Sequence, residues 1–229
     1  MPPVQVSYYS DVLCVWAYVA ERRIEKLVKT FGDEISVDAH FCSVFPDAWG
    51  KIEERWGERG GFEGFGKHIN EVALKFPHIE VHPRLWLDNR PRTSASAHQF
   101  IKAVEIIERE AGTRPAAYLE RPSTRAASAL RHAFFAEAKD ISNWQIHTEV
   151  AASLGIDYAL VEEKNHSSEA VAQLALDYDL SQKQGIAMSP TIIMNEGRQK
   201  LFGNVGYRVL EANVGELLRS APEDEASWC

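Results

Sequence analysis

The sequence predicts an α/β fold interrupted by an all-helical insertion. Three observations predict it. Residues 4–9 are rich in strand formers and pass at once into a helical pattern. From about residue 45 to residue 181 the apolar spacing is helical and loop-rich. Strand patterning then returns at residues 190–194, and a last amphipathic stretch closes the chain.

Taken in order, Ile24, Leu27, Val28 and Phe31 fall at i, i+3, i+4 and i+7, with Gly32 as a stop, so a helix is predicted from about residue 13 to 31. Residues 35–43 read as a second strand, which completes a β-α-β opening. Residues 56–66 are rich in glycine and aromatics and are read as a mobile flap or a plain surface loop. Pro77, Pro83 and Pro91 bracket an extended connection. Ala97, Phe100, Ile101, Val104 and Ile107 mark one helix face. Ala127, Leu130 and Phe134 mark another after Ser123 as its cap. Two further helices are predicted, from Asn143 to a Gly155 stop and around Val171, Leu174, Ala175 and Tyr178. A turn at Asn195-Glu196-Gly197 separates strand 190–194 from strand 199–202. Val209, Leu210, Val214 and Leu217 then define the closing helix. The domain division expected is 1–45 with 183–221, interrupted by a helical domain at 46–182, with residues 222–229 as a frayed acidic tail.

Composition narrows the function classes. Of 229 residues, 45% are hydrophobic and 25% charged, which are ordinary globular values. The 25 Lys and Arg against 33 Asp and Glu give a formal net charge of -8, which argues against nucleic acid or an anionic membrane as the partner. No apolar run approaches the roughly 20 residues needed to cross a bilayer. The N-terminus carries no basic head, apolar stretch or cleavage site, so a cytoplasmic protein is expected. Three cysteines, Cys14, Cys42 and Cys229, are too few and too odd for a secreted disulfide framework.

Cys14 lies where the first strand hands over to the first helix. Unpaired N–H groups and the positive end of the dipole there favour a thiolate and a nucleophilic role, with a lowered pKa unless an ionised Asp11 nearby raises it; the other reading is a buried apolar cysteine among Leu13, Val15 and Trp16. Asp11 is read as a helix cap, or as a group exchanging a proton with the thiol. Cys42 follows His40 at strand spacing, and the packing role outweighs a metal site. No zinc spacing and no phosphate loop occurs. Cys229 is read as a tail thiol, or as a remote resolver of Cys14. Trp16, Tyr18, Trp49, Trp56, Phe62 and Phe65 are read as core, or as the wall of an apolar pocket.

These motifs carry a resemblance over nearly the whole chain. Ser10-Asp-Val-Leu-Cys-Val-Trp-Ala-Tyr18 resembles the Asp-x-x-Cys-Pro-Trp-Cys-Tyr segment of the DsbA-like thioredoxin-fold family, and Gly185-Ile-Ala-Met-Ser-Pro-Thr-Ile192 resembles its Gly-Val-x-Gly-x-Pro-Thr segment. Arg92-Thr-Ser-Ala-Ser-Ala-His-Gln99 and Ala138-Lys-Asp-Ile-Ser142 are similar to segments of that family's helical insertion. The resemblance implies a thioredoxin-like fold, a cis bond before Pro190, and a Ser189 backbone offered to a thiol substrate beside Cys14 and Trp16. Ala17 stands where the family's second cysteine would be, so a mixed disulfide at Cys14 needs an outside thiol.

Kappa-class glutathione transferases and 2-hydroxychromene-2-carboxylate isomerases share this architecture and also lack a resolving thiol. By that resemblance glutathione, or another low-molecular-weight thiol, lies along the Pro190 loop and reaches the turn at Asn204 and Val205. Those two residues replace the Ser-Asp pair that grips the glutamyl end in the kappa class, and Arg208 is read as an exposed helix arginine first and as a substitute cation second. Three readings follow. The first is a thiol-disulfide oxidoreductase using Cys14 alone. The second is a glutathione-dependent isomerase or transferase. The third is a redox-inactive peptide-binding or chaperone-like module. A small thiol or disulfide is the expected partner, no metal is expected, and a homodimer is left open.

Overall fold

The structure, a computed structural model, describes residues 3–115 and 117–219. Strand β1 (Val4–Ser10), helix α1 (Val15–Phe31) and strand β2 (Ile35–Phe41) form the opening unit. Helices α2 (Ala48–Trp56), α3 (Gly61–Ala73), α4 (Ala95–Glu110), α5 (Pro122–Phe135), α6 (Trp144–Leu154), α7 (Tyr158–His166) and α8 (Glu169–Lys183) follow. Strands β3 (Thr191–Met194) and β4 (Gln199–Phe202) and helix α9 (Tyr207–Leu218) close the described chain. The strands make one mixed sheet in the order β2-β1-β3-β4. β1 runs parallel to β2 and antiparallel to β3, which is antiparallel to β4.

Strand alternation sets the two faces of this sheet. Val4, Val6 and Tyr8 pack with Ile24 and Leu27 of α1 and with Leu210 and Val214 of α9. Tyr9 and Ile193 turn to the other face and meet Cys42. There α8 is tied to the end of β2, because the Asp177 carboxylate accepts from the Phe41 N–H at 2.9 Å. Asp177 also pairs with the buried Lys102 of α4 at 2.6 Å, and Lys102 with Glu105 at 2.8 Å. This places α4 at the centre of the helical layer, where it also packs on α5 and α7.

Several expectations are corrected. Residues 56–66 form no flap: α2 ends there, a short turn follows, and α3 begins at Gly61. The glycines serve close approach rather than mobility, since a Cβ on Gly64 would meet the Arg59 carbonyl oxygen at 1.8 Å, and one on Gly66 the Leu85 oxygen at 2.5 Å. Residues 74–94 hold turns rather than an extended run and bury Leu85 and Trp86 completely. Ser123 does not cap α5, because Pro122 already occupies its first turn. Instead the Glu108 carboxylate of α4 accepts from the Ser123 N–H at 3.0 Å and hydroxyl at 2.9 Å. Asn143 does cap α6, accepting from Gln145 N–H at 2.9 Å, and Gly155 ends that helix at φ 70°. Helices α2 and α7 were not anticipated. The tail at residues 222–229, with Cys229, lies outside the described residues.

Candidate active site

The turn from β1 into α1 is fixed by one carboxylate. Asp11, fully buried, accepts from the backbone N–H of Leu13 at 2.9 Å, Val44 at 3.1 Å and Phe45 at 2.9 Å, and from the Ser94 hydroxyl at 2.8 Å. One side chain thus ties the end of β1, the segment after β2 and the start of α4 together. Val12 N–H donates to Nε2 of His98 at 3.1 Å, so the His98 proton sits on Nδ1, 3.0 Å from the Tyr178 hydroxyl. Burial pushes His98 down to about 4, so its ring is neutral at neutral pH and stacks on Phe41 at 4.1 Å between centroids.

That scaffold places Cys14 as the N-cap residue of α1, with φ -85° and ψ 116°. The thiol is 7% exposed, and its Sγ donates to the Ser189 carbonyl oxygen at 3.2 Å. The Ser189–Pro190 peptide bond is cis. The Ser189 hydroxyl accepts from Asp11 N–H at 2.9 Å, so Asp11, Cys14, Ser189 and Pro190 form one cluster. The expected lowering of the thiol pKa is not observed. Burial pushes the Cys14 thiol up, the neighbouring Ser189 hydroxyl offsets only part of this, and nearby Asp11 adds to the rise. A helix N-terminus stabilises a thiolate only as far as the loss of water allows.

Ala17, in place of a second thiol, is completely buried, and its carbonyl accepts from the Tyr8 hydroxyl at 3.4 Å. Trp16 is half-buried, meets Phe76 edge-on at 5.9 Å and packs against the main core cluster. Cys42 is buried, and burial raises its thiol too. His40 stacks on Tyr9 at 5.0 Å and meets Asp177 at 3.0 Å. Among the described residues, no group of three or more His, Cys, Asp or Glu side chains is arranged to hold a metal ion. No helix there is long and apolar enough to cross a membrane.

Asn204 and Val205 adjoin this cluster without entering it. Gly203 N–H donates to the Pro190 carbonyl at 2.8 Å, which ties their turn to the cis-proline loop. Arg23 of α1 donates to Asn204 Oδ1 and, at 2.8 Å, to the Val205 carbonyl. α9 then starts at Gly206 without any side-chain cap. Met188 and Phe202, 47% and 44% exposed, form an apolar surface beside the loop. Sequence reasoning missed Arg23 and Lys51. Lys51 donates to the Val44 carbonyl at 2.6 Å and lies over the Phe45 ring at 4.9 Å. Their partners lie 181 and 7 residues away along the chain, and periodicity signals neither contact.

A four-stranded mixed sheet, a cysteine capping the first helix and a cis-proline opposite it define a thioredoxin-like protein with a helical insertion. More narrowly, the chain belongs to the DsbA-like thioredoxin domain family, which matches residues 5–215. Its fold is similar to a Nitrosomonas europaea structure provisionally described as a protein disulfide isomerase, at TM-score 0.74 and 15% identity over 95% of this chain and 98% of that one. The cytosolic disulfide reductase DsbM from Pseudomonas aeruginosa, solved with glutathione, aligns at TM-score 0.67 and 18% identity over 94% and 100% of the two chains. A 2-hydroxychromene-2-carboxylate isomerase aligns at 0.65 and 16% over 94% and 96%.

Proposed function

We propose that the protein is a thiol-dependent oxidoreductase in which Cys14 is the sole nucleophile and an external small thiol completes the cycle. The observation that carries this reading is Sγ of Cys14 at 3.2 Å from the Ser189 carbonyl, beside cis-Pro190, with Ala17 in place of a resolving thiol. The Cys14 sulfur, once deprotonated, attacks one sulfur of a substrate disulfide. A Cys14–substrate S–S bond forms, the original S–S bond breaks, and the other half leaves as a thiolate that takes up a proton. The mixed disulfide is then cleaved by a second small thiol, which leaves as a disulfide and returns Cys14 to the thiol. The net change is thiol–disulfide exchange: one half of the substrate leaves as a thiol and the other as a mixed disulfide with the small thiol, and a further small thiol attacking that mixed disulfide completes reduction of the substrate with oxidation of two small thiols to their disulfide.

The turn at α9 fits a small thiol that carries a carboxylate, such as glutathione. Its uncapped helix start presents backbone N–H groups, and the Arg23 guanidinium is anchored at the same turn. Asn204 Oδ1 is already engaged by Arg23, so the carboxylate is assigned to backbone N–H and not to that side chain. The Ser189 backbone and Pro190 hold the thiol end. The DsbM structure solved with glutathione supports this choice of co-substrate.

One observation favours a second reading. The Cys14 thiol is buried, its pKa is raised by that burial, and it already donates a hydrogen bond. A thiol that keeps its proton can turn that donation from the Ser189 carbonyl to a bound cofactor thiol and orient it, as an isomerase or transferase requires. Cys14→Ser separates the two. Reduction of hydroxyethyl disulfide by glutathione is lost in Cys14→Ser on the first reading, whereas glutathione-dependent turnover retained by the serine variant overturns it in favour of the second.

A further inference from the structure

Cys14 does not line the main cavity on the other side of the sheet end. That cavity, about 440 Å³, lies between α1, the α1-facing side of β1 and β2, and helices α4 and α5. Its size falls in the range of small-molecule sites, roughly 300–1,000 Å³. The chain has a net charge of -8, yet the cations lining the cavity, Arg22, Lys29, Arg114, Arg121, Arg125 and Arg131, outnumber the lining carboxylates Glu21, Glu25 and Glu105, and still do so when Asp38 and Glu108, which pair with Arg114 and Arg121, are added.

The innermost of these cations is under-used. Arg131 has a side chain 5% exposed and donates from Nη2 to the Ser10 hydroxyl at 2.9 Å and from Nη1 to the Glu21 carboxylate at 3.5 Å, a long ion pair. Its Nε is buried without a hydrogen-bond partner. Arg114 Nε is also buried and makes no hydrogen bond, although Glu108 stands 3.3 Å away. Buried donors are normally paired, because an unsatisfied one costs about 1–3 kcal/mol. The remaining wall is apolar: Ile24, Phe41, Ile101 and Ala127, with the rings of Tyr8 and Tyr118 beside them.

We propose that this cavity binds a small organic carboxylate with an aromatic or aliphatic body, the carboxylate on Arg131 and the body on Ile24, Phe41 and Ile101. The excess of guanidinium disfavours a neutral ligand. The apolar wall disfavours a purely inorganic anion. The site is independent of the thiol chemistry, since Cys14 and Ser189 take no part in it.

Calorimetric titration of the full-length protein with phenylbutyrate tests the assignment. Phenylbutyrate binds, while neutral phenylbutyramide and inorganic phosphate bind about tenfold more weakly or worse. Arg131→Gln weakens phenylbutyrate by about tenfold or more. Because Arg131 is buried, Ser128→Trp at the exposed rim serves as the second variant: it weakens binding while the circular dichroism spectrum and Cys14 alkylation stay unchanged. Equal binding of acid and amide, equal binding of phosphate, full affinity in a folded Ser128→Trp, or no binding at millimolar phenylbutyrate overturns the proposal.

Discussion

The surroundings of Asp11 and of Arg131 differ in one respect that separates a scaffold from a receptor. Both groups are buried, and they lie on either side of Ser10, whose hydroxyl accepts from Arg131 while Asp11 follows it in the chain. Asp11 accepts from four donors supplied by the turn after β1, the segment after β2 and the start of α4. Arg131 keeps a buried N–H without a partner. A fully paired network fixes geometry, and here it fixes Cys14 against Ser189. An incompletely paired one retains capacity for a ligand.

The largest expected effect breaks the paired side. Asp11→Ala strands the Leu13 and Phe45 N–H groups in a site closed to water and leaves Val44 N–H and the Ser94 hydroxyl only the Cys42 and Phe45 carbonyls, so urea denaturation is expected to show a loss of about 3 kcal/mol. A loss under about 1 kcal/mol would remove the contrast between the two regions. The next effect is a pH dependence on the same side. The folded state holds His98 neutral down to about pH 4, against an ordinary value of 6.5. Between those values the unfolded chain binds a proton that the folded chain refuses, so stability falls as pH drops through that window. His147, also pushed to about 4 by burial, acts in the same direction. His98→Gln is expected to make the acid slope of the urea midpoint shallower, and an unchanged slope contradicts the assignment.

The smallest effect concerns Cys14 itself. Its folded pKa is above the ordinary thiol value of 9.0, so the proton it retains stabilises the fold below that pH, and this contribution is lost as pH rises through the folded value. Iodoacetamide labelling of Cys14 in the native protein is therefore expected to keep accelerating with pH beyond the point where a free cysteine levels off. A plateau at or below the ordinary value would contradict burial as the dominant cause.

The outer elements of the fold were legible because their cues are local. Alternation in residues 4–9 and the i, i+3, i+4 spacing of Ile24, Leu27 and Val28 lie within one or two turns of chain, and both elements formed as read. Cys14 and Pro190 were linked by family resemblance, since no local pattern joins residues so far apart. The glycines of α3 misled because close backbone approach and flexibility use the same residue, and only the Arg59 and Leu85 carbonyls distinguish the two. The Ser123 cap failed for a related reason. Glu108, one helix earlier, supplies the acceptor. Arg23, Lys51 and Arg131 were invisible as site residues because each gains its meaning from partners on other elements.

Intact mass spectrometry of the native protein after treatment with oxidised glutathione tests the central claim most directly. The account predicts one glutathione adduct, mapped to Cys14, absent in Cys14→Ser and removed by reduced glutathione. An adduct confined to Cys42 or Cys229, or none while Cys14 is shown to be reduced, would contradict a lone-thiol cycle at Cys14.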